Sequence, residues 1–391
     1  MNRVDTLKNL CLDILAKRYW VDRNQVYFVN IWGQFNDNTK ALAIAYHEAF
    51  PQKKLVYEIN DETEAKYIPS YITPVLKNTS RARHFKYSSY VVIDNDWGAI
   101  KKSGIGFKGK LLVWLYKQTI SKKTYYISTG HGTPLKKIGC DAVNVSYDSF
   151  VTSTNTMFVL DDQSAQVAKS STLNRISDVR IVGTPRNDVL FRNNVPGILV
   201  NGNNRILLFA PTFRTIVDDN KNKVFVGAED YLQILSENHD NLITVLETRF
   251  GGKWKIGIRI HPGVTKTVDI SRINSKIFIA NESNDMADYL VKTDVLITDY
   301  SSCAFDFMLT GRPCFMFWAD YDSYSANERG LYMNKADLPF NPASSFDELL
   351  ENIQKFNSNN YLANVERFCS TYHFSKNKLA AETIISFIES L

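Results

Sequence analysis

Short apolar, β-rich runs alternate with helical stretches twice over, once on each side of a polar break. No other feature constrains the fold of this chain as strongly. In the first half, strands are expected near Val26 to Ile31, Lys54 to Ile59, Tyr90 to Ile93, Thr124 to Ser128, Met157 to Leu160 and Arg180 to Val182. In the second half they are expected near Arg205 to Ala210, Lys255 to Ile260, Lys276 to Ala280, Asp294 to Thr298 and Cys314 to Trp318. Strands separated by helices are the pattern of parallel α/β sheets. The break itself is Arg192-Asn193-Asn194-Val195-Pro196-Gly197 followed by Asn201-Gly202-Asn203-Asn204, polar and rich in turn formers. It divides the 391 residues into 1–197 and 198–391, two domains of similar size. From Ser345 the chain turns helical, with Phe346 to Phe356 and Lys378 to Ile388 as amphipathic candidates. Two doubly wound domains would face a cleft across the C-terminal ends of their strands, where open α/β sheets bind ligands.

Composition narrows the classes of function. The five cysteines lie far apart, with no CxxC pair and no Cys/His cluster, which argues against a zinc site and a disulfide framework. The N-terminus has no signal-peptide pattern, and no apolar run approaches the roughly 20 residues that span a bilayer. A soluble protein of the reducing cytoplasm is expected. The net charge of +5 is unevenly placed: residues 1–150 carry 22 Lys and Arg against 13 Asp and Glu. Between Lys86 and Lys123, lysines interleave with Trp97, Phe107, Trp114 and Tyr116. Such a stretch suits an anionic membrane surface, a polyanionic substrate or a nucleic acid, or is simply a solvated face. No nucleic-acid-binding motif accompanies it, so nucleic acid is not an expected partner.

Chemistry gathers at the strand ends. The strand ending at Ser128 runs into Thr129-Gly130-His131-Gly132-Thr133-Pro134, where glycines allow a tight approach and His131 titrates near neutral pH. Thr133 is a candidate helix cap and Pro134 a candidate first helical residue. Val182-Gly183-Thr184-Pro185-Arg186 repeats the pattern, with Arg186 either facing the cleft or covering a helix start. In the second half, Pro211-Thr212-Phe213-Arg214 and Arg259-Ile260-His261-Pro262 end their strands in hydroxyl and cationic groups suited to phosphate oxygens. Asp299-Tyr300-Ser301-Ser302 ends the strand over Asp294 to Thr298 and opens a helix, placing free N–H groups where an anion would sit. No Walker-type motif occurs, and no GxGxxG follows the first strand. The strand ends therefore describe a cleft that binds pyrophosphate through helix termini and cationic side chains, with no metal and no cofactor expected.

Taken in order, these segments resemble the CDP-glycerol:polyglycerophosphate glycerophosphotransferase family of teichoic acid and capsule polymer enzymes. The resemblance is carried by His131 to Gly139 with Asp141, Gly183 to Asp188, Ala210 to Arg214, Arg259 to Pro262 and Ile297 to Ser302. Asn36-Asp37-Asn38-Thr39-Lys40-Ala41-Leu42 and Glu328-Arg329-Gly330-Leu331-Tyr332 extend it over about residues 26 to 340. It implies a GT-B type fold of two Rossmann-like domains, residues 1–197 on the acceptor side and 198–391 binding the nucleotide donor. It also implies a CDP-glycerol or CDP-ribitol donor, a lipid-linked saccharide or polyol phosphate polymer as acceptor, and peripheral association with the cytoplasmic face of the membrane.

Position by position, the resemblance implies His131 as catalytic base and His261 as a second essential histidine near the donor phosphates. Thr212, Arg214, Arg259, Asp299, Ser301 and Ser302 are the candidate donor-binding residues. Thr133, Lys136 and Arg186 are candidates for acceptor or phosphate contacts. Two other readings stay open: a GT-B glycosyltransferase using a nucleotide sugar, since one fold serves both chemistries, and a non-catalytic protein that binds polyanions or membranes.

Overall fold

The computed structural model describes residues 21–94, 99–102, 124–142, 149–152, 154–192, 197–217, 223–226, 229–260, 269, 271, 273–281, 285–327, 330–375 and 377–391. The first half carries β1 (Asp22–Val29), β2 (Lys54–Ile59), β3 (Ile72–Leu76), β4 (Ser89–Asp94), β5 (Ala99–Lys102), β6 (Tyr125–Ser128), β7 (Ser149–Thr152), β8 (Thr156–Val159) and β9 (Asp178–Ile181). Seven of these form a parallel sheet in the order β3-β2-β1-β4-β6-β8-β9, while β5 and β7 pair antiparallel beside it. The second half carries β10 (Asn204–Ala210), β11 (Arg214–Val217), β12 (Lys223–Val226), β13 (Lys253–Ile258), β14 (Phe278–Ile279), β15 (Val295–Thr298) and β16 (Cys314–Met316). Its five-stranded parallel sheet runs β14-β13-β10-β15-β16, and β11 and β12 form a separate hairpin.

The strands arise where unbroken apolar runs can be buried on both faces, as parallel sheets with helical covers require. All four residues of β15 and all three of β16 are buried. Every strand expected from the sequence is present, and β14 shrinks to two residues at a sheet edge. One strand of the first sheet was not expected. β3 contains Pro74, which lacks a ladder donor and so weakens the strand signal, and β3 takes the sheet edge where proline is tolerated.

In each sheet the strand order reverses around the first strand of its half, β1 and β10, which opens a crevice at their C-terminal ends. The two crevices face each other. The second sheet is covered on one side by helix Phe346–Gln354, through Leu349, Leu350 and Ile353. The last helix, Ala380–Glu389, belongs by sequence to the second half but packs elsewhere. Ala381, Ile384, Ile385 and Ile388 enter the first-domain core beside Val26, Phe28, Leu42 and Phe158. Asp188 fixes its start by accepting the Ala380 and Ala381 N–H groups at 3.0 and 2.9 Å. This helix ties the end of the chain back onto the first sheet.

Candidate active site

A cleft of about 520 Å³ lies between the domains. The strand ends of both line it: Asp37, Thr129 to Gly132, Lys136 and Arg186 from the first, and Thr212, Arg259, Asp285, Ser301, Ser302 and Asp306 from the second.

On the first-domain wall, β6 ends in a turn built around Gly130 and Gly132, both at positive φ (+57° and +87°). A Cβ at Gly132 would stand 2.3 Å from Nη2 of Arg186, so glycine is needed there for the guanidinium to lie against the turn. Buried Asn38 holds the turn from behind. Its side-chain amide donates to the carbonyls of Thr129 and Gly130, both at 3.1 Å, and its oxygen accepts the Arg186 N–H at 3.1 Å. His131 is thereby presented at the cleft with its side chain 39% exposed, and its Nδ1 lies 3.8 Å from Oδ2 of Asp37.

Arg186 bridges the domains. Its Nη1 donates to Asp37 at 2.8 Å, and its Nη2 donates to the His131 carbonyl and to Asp306 of the second domain, both at 2.7 Å. Asn187 donates to the other Asp306 oxygen at 2.9 Å. Burial alone would raise Asp37, but Arg186 and His131 outweigh it and hold the carboxyl well below the usual range. For Asp306 burial prevails and pushes the carboxyl up, against the pull of Arg186. A second bridge joins Lys40 to Asp285 at 3.1 Å and Asp288 at 2.9 Å.

On the second-domain wall, Arg259 follows β13 and is 7% exposed. Its Nη1 donates to the Ala280 carbonyl at 2.8 Å, and its guanidinium lies 5.1 Å from the Tyr289 ring centre. Among the described residues no carboxylate forms an ion pair with it. Burial pushes its pKa down, with Tyr289 and Asp285 opposing. A buried guanidinium with no ion-pair partner among the described residues, on a cleft wall, can take the charge of an anionic ligand. Ser301 and Ser302 line the same wall.

Several expectations need correction. No helix starts at Pro134: residues 131–138 run as bends and irregular chain, and Lys136 pairs across the domains with Leu331. Thr133 is fully buried, and its hydroxyl donates to Asp161, the N-cap of helix Asp162–Ser170. It braces the turn and does not face the cleft. Ser302 does not cap its helix, because its backbone is already helical (φ −63°, ψ −16°) and its hydroxyl points to the His131 carbonyl at 3.4 Å. The contact to the helix N–H of Cys303 comes from Ser301, at 3.4 Å.

Asp299 and Arg214 are turned inward. The Asp299 carboxylate accepts from the Thr212 N–H at 2.9 and 3.0 Å and from the Thr212 hydroxyl. Arg214 pairs with Asp299 at 3.0 Å and Asp320 at 2.7 Å, enclosed by the rings of Tyr231, Tyr300 and Tyr324. Lys136 does line the cleft, with its ammonium 5.7 Å from the Phe213 ring centre. His261 lies outside the described residues, as does most of the stretch from Lys86 to Lys123. Cys303 is buried, and burial pushes its thiol up to about 11.

Sequence reasoning did not single out Asp37, Asn38, Asp306, Lys40 or Asp285 as site residues. Asp306 did leave a signal: it is a lone carboxylate between Phe305 and Phe307 in an apolar helix, and a buried charge requires a partner.

The chain is 27% identical over 372 residues to a teichoic acid poly(glycerol phosphate) polymerase of Staphylococcus epidermidis, covering 85% of this chain and 49% of that protein. It is 27% identical over 303 residues to a teichoic acid glycerol-phosphate transferase of Staphylococcus aureus, covering 69% of this chain and 73% of that protein. The chain spans about half the length of the poly(glycerol phosphate) polymerases of S. epidermidis and Bacillus subtilis that it matches. Its fold is that of a solved wall teichoic acid polymerase, TagF, at TM-score 0.74 and 21% identity, covering 99% of this chain and 94% of that one. The family model CDP-Glycerol:Poly(glycerophosphate) glycerophosphotransferase matches residues 12–390. The chain belongs to the CDP-glycerol:poly(glycerophosphate) glycerophosphotransferase family.

Proposed function

We propose that this chain transfers a polyol phosphate, glycerol phosphate or a close relative, from a CDP-linked donor to an acceptor hydroxyl, releasing CMP. The observation that carries this reading is the pairing across one cleft of His131, held beside Asp37, with Arg259, a buried cation that forms no ion pair among the described residues. In the reaction, the imidazole of His131 takes the proton of the acceptor hydroxyl. The oxygen then attacks the polyol-bearing phosphorus, and its bond to the CMP oxygen breaks. Arg259 offsets charge on the diphosphate as that bond lengthens, with Ser301 and Ser302 beside it. Positioning and charge stabilisation supply most of the acceleration in such transfers.

The acceptor enters from the first-domain wall. There Trp32, 45% exposed, offers an apolar face for a saccharide or a polyol chain. The excess of Lys and Arg in residues 1–150 suits an acceptor held at an anionic membrane surface. Among the described residues no helix is long and apolar enough to cross a membrane.

The test is incubation with CDP-glycerol, CDP-ribitol and UDP-sugars in turn. Release of CMP together with an acceptor extended by one polyol phosphate is expected. Release of a nucleoside diphosphate from a sugar donor would make the enzyme a glycosyltransferase instead, and turnover of none of the donors would reject both.

A further inference from the structure

The contacts around Arg186 run from the second domain to Asp37, whose carboxylate stands 3.8 Å from the ring of His131. Asp306 lies in helix Cys303–Met308, directly after the two serines of the donor wall, and is 3% exposed. Its Oδ2 takes Nη2 of Arg186 at 2.7 Å, Nη1 of the same guanidinium takes Oδ1 of Asp37 at 2.8 Å, and Oδ2 of Asp37 faces Nδ1 of His131 at 3.8 Å. The fork fixes both carboxylates at once, a geometry that a lysine cannot reproduce. Arg186 holds this position although its Nε is buried without a hydrogen-bond partner, so the two carboxylates outweigh a desolvation cost. The charged side chains this line brings toward the imidazole are thus Asp37, Arg186 and Asp306, from three separate elements.

We infer that Asp306 and Asp37 are positioning residues for His131: Asp306 acts through Arg186 and Asp37, so the base is aligned only while the donor-side helix is docked on the first domain. This deepens the proposed function and rests on it for the role of His131, but the geometric claim stands apart from turnover. Docking of helix Cys303–Met308, which carries the donor wall, and alignment of the base then become one event. An acceptor hydroxyl meets a competent base only when the donor side is in place.

The test follows the imidazole signals of His131 by NMR across pH in the wild type, Asp37→Asn and Asp306→Asn, with His131→Gln to assign them, alongside kcat and donor KM. A neighbouring carboxylate favours the protonated ring, so its removal shifts the titration to lower pH. Both variants are expected to move it that way, Asp37→Asn further. The acid limb of the pH–rate profile should follow, kcat should fall about tenfold to a hundredfold, and donor KM should stay within about twofold. If Asp306→Asn leaves the titration in place, or raises donor KM alone, the coupling is wrong and Asp306 serves only the second domain. Should Asp306→Asn not fold, Arg186→Lys carries the same test, since it keeps the charge and breaks the fork. If the wild type turns over no CDP-linked donor, the proposed function fails, while the titration still decides the coupling.

Discussion

Arg186 and Arg214 are alike in burial and in carboxylate pairing, yet they join different parts of the molecule. Their side chains are 13% and 14% exposed, and each lies between two aspartates. Arg214 finds both partners, Asp299 and Asp320, within the second domain, and three tyrosine rings enclose it. Arg186 finds one partner on each domain, and its edge lines the cleft beside His131. Burial and charge pairing therefore do not tell the two apart. What differs is whether the partners lie within one domain or on both. Arg259 is the third case, on the cleft wall with no ion pair among the described residues.

The largest expected effect tests the scaffold assignment. Arg214→Met leaves Asp299, 1% exposed, without its cation, and breaking such a pair costs about 3–5 kcal/mol. Urea unfolding should show that loss, while kcat per folded molecule stays within a few-fold of wild type. A selective loss of turnover at unchanged stability would place Arg214 with the working residues.

Arg259→Gln should do the reverse. Removing a charge-assisted contact to a bound phosphate costs about 1.5–3 kcal/mol, or roughly tenfold to a hundredfold in donor KM. Stability should hold or rise, because a buried cation with no ion-pair partner among the described residues is itself a cost. An unchanged donor KM would take Arg259 out of the donor site.

A smaller effect separates scaffold from site within the first domain. Two residues beyond Arg186, Asp188 turns away from the cleft onto helix Ala380–Glu389. Burial pushes its carboxyl from 3.8 up to about 6, against the pull of the Ala381 and Ala380 N–H groups. Its folded-state value thus lies above its unfolded one. The contribution of Asp188 to folding stability is full below about pH 4 and is lost as pH rises through 6, by about 1–2 kcal/mol once solvent screening is allowed for. Thermal melts from pH 4 to pH 7 should slope downward in the wild type relative to Asp188→Asn. Parallel curves would remove this assignment.

The sequence revealed what depends on neighbours along the chain. β10, β15 and β16 are built on apolar runs, so their positions were legible, and glycine and proline punctuation exposed the strand ends where His131, Arg186 and Arg259 sit. The amphipathic stripe of Lys378 to Ile388 was equally plain. Its docking onto the first sheet was not, because an apolar face does not name its partner. The same limit explains the site. Whether Arg214 reaches into the cleft depends on Asp320 and on three tyrosines from separate elements, and the link from Asp306 to Asp37 crosses both domains. Thr133 carried a capping signal that was real, but the carboxylate that took its hydroxyl, Asp161, comes from the end of another strand. Pairings of this kind exist only once the sheets have formed.

The most direct measurement is CMP release from a CDP-polyol donor by purified His131→Ala, compared with wild type, with folding confirmed by thermal melting. Loss of a positioned general base predicts a fall of about 10²- to 10⁴-fold in kcat at unchanged melting temperature. Near wild-type release by the folded variant would contradict the account, because no other group in the described cleft has been given the proton.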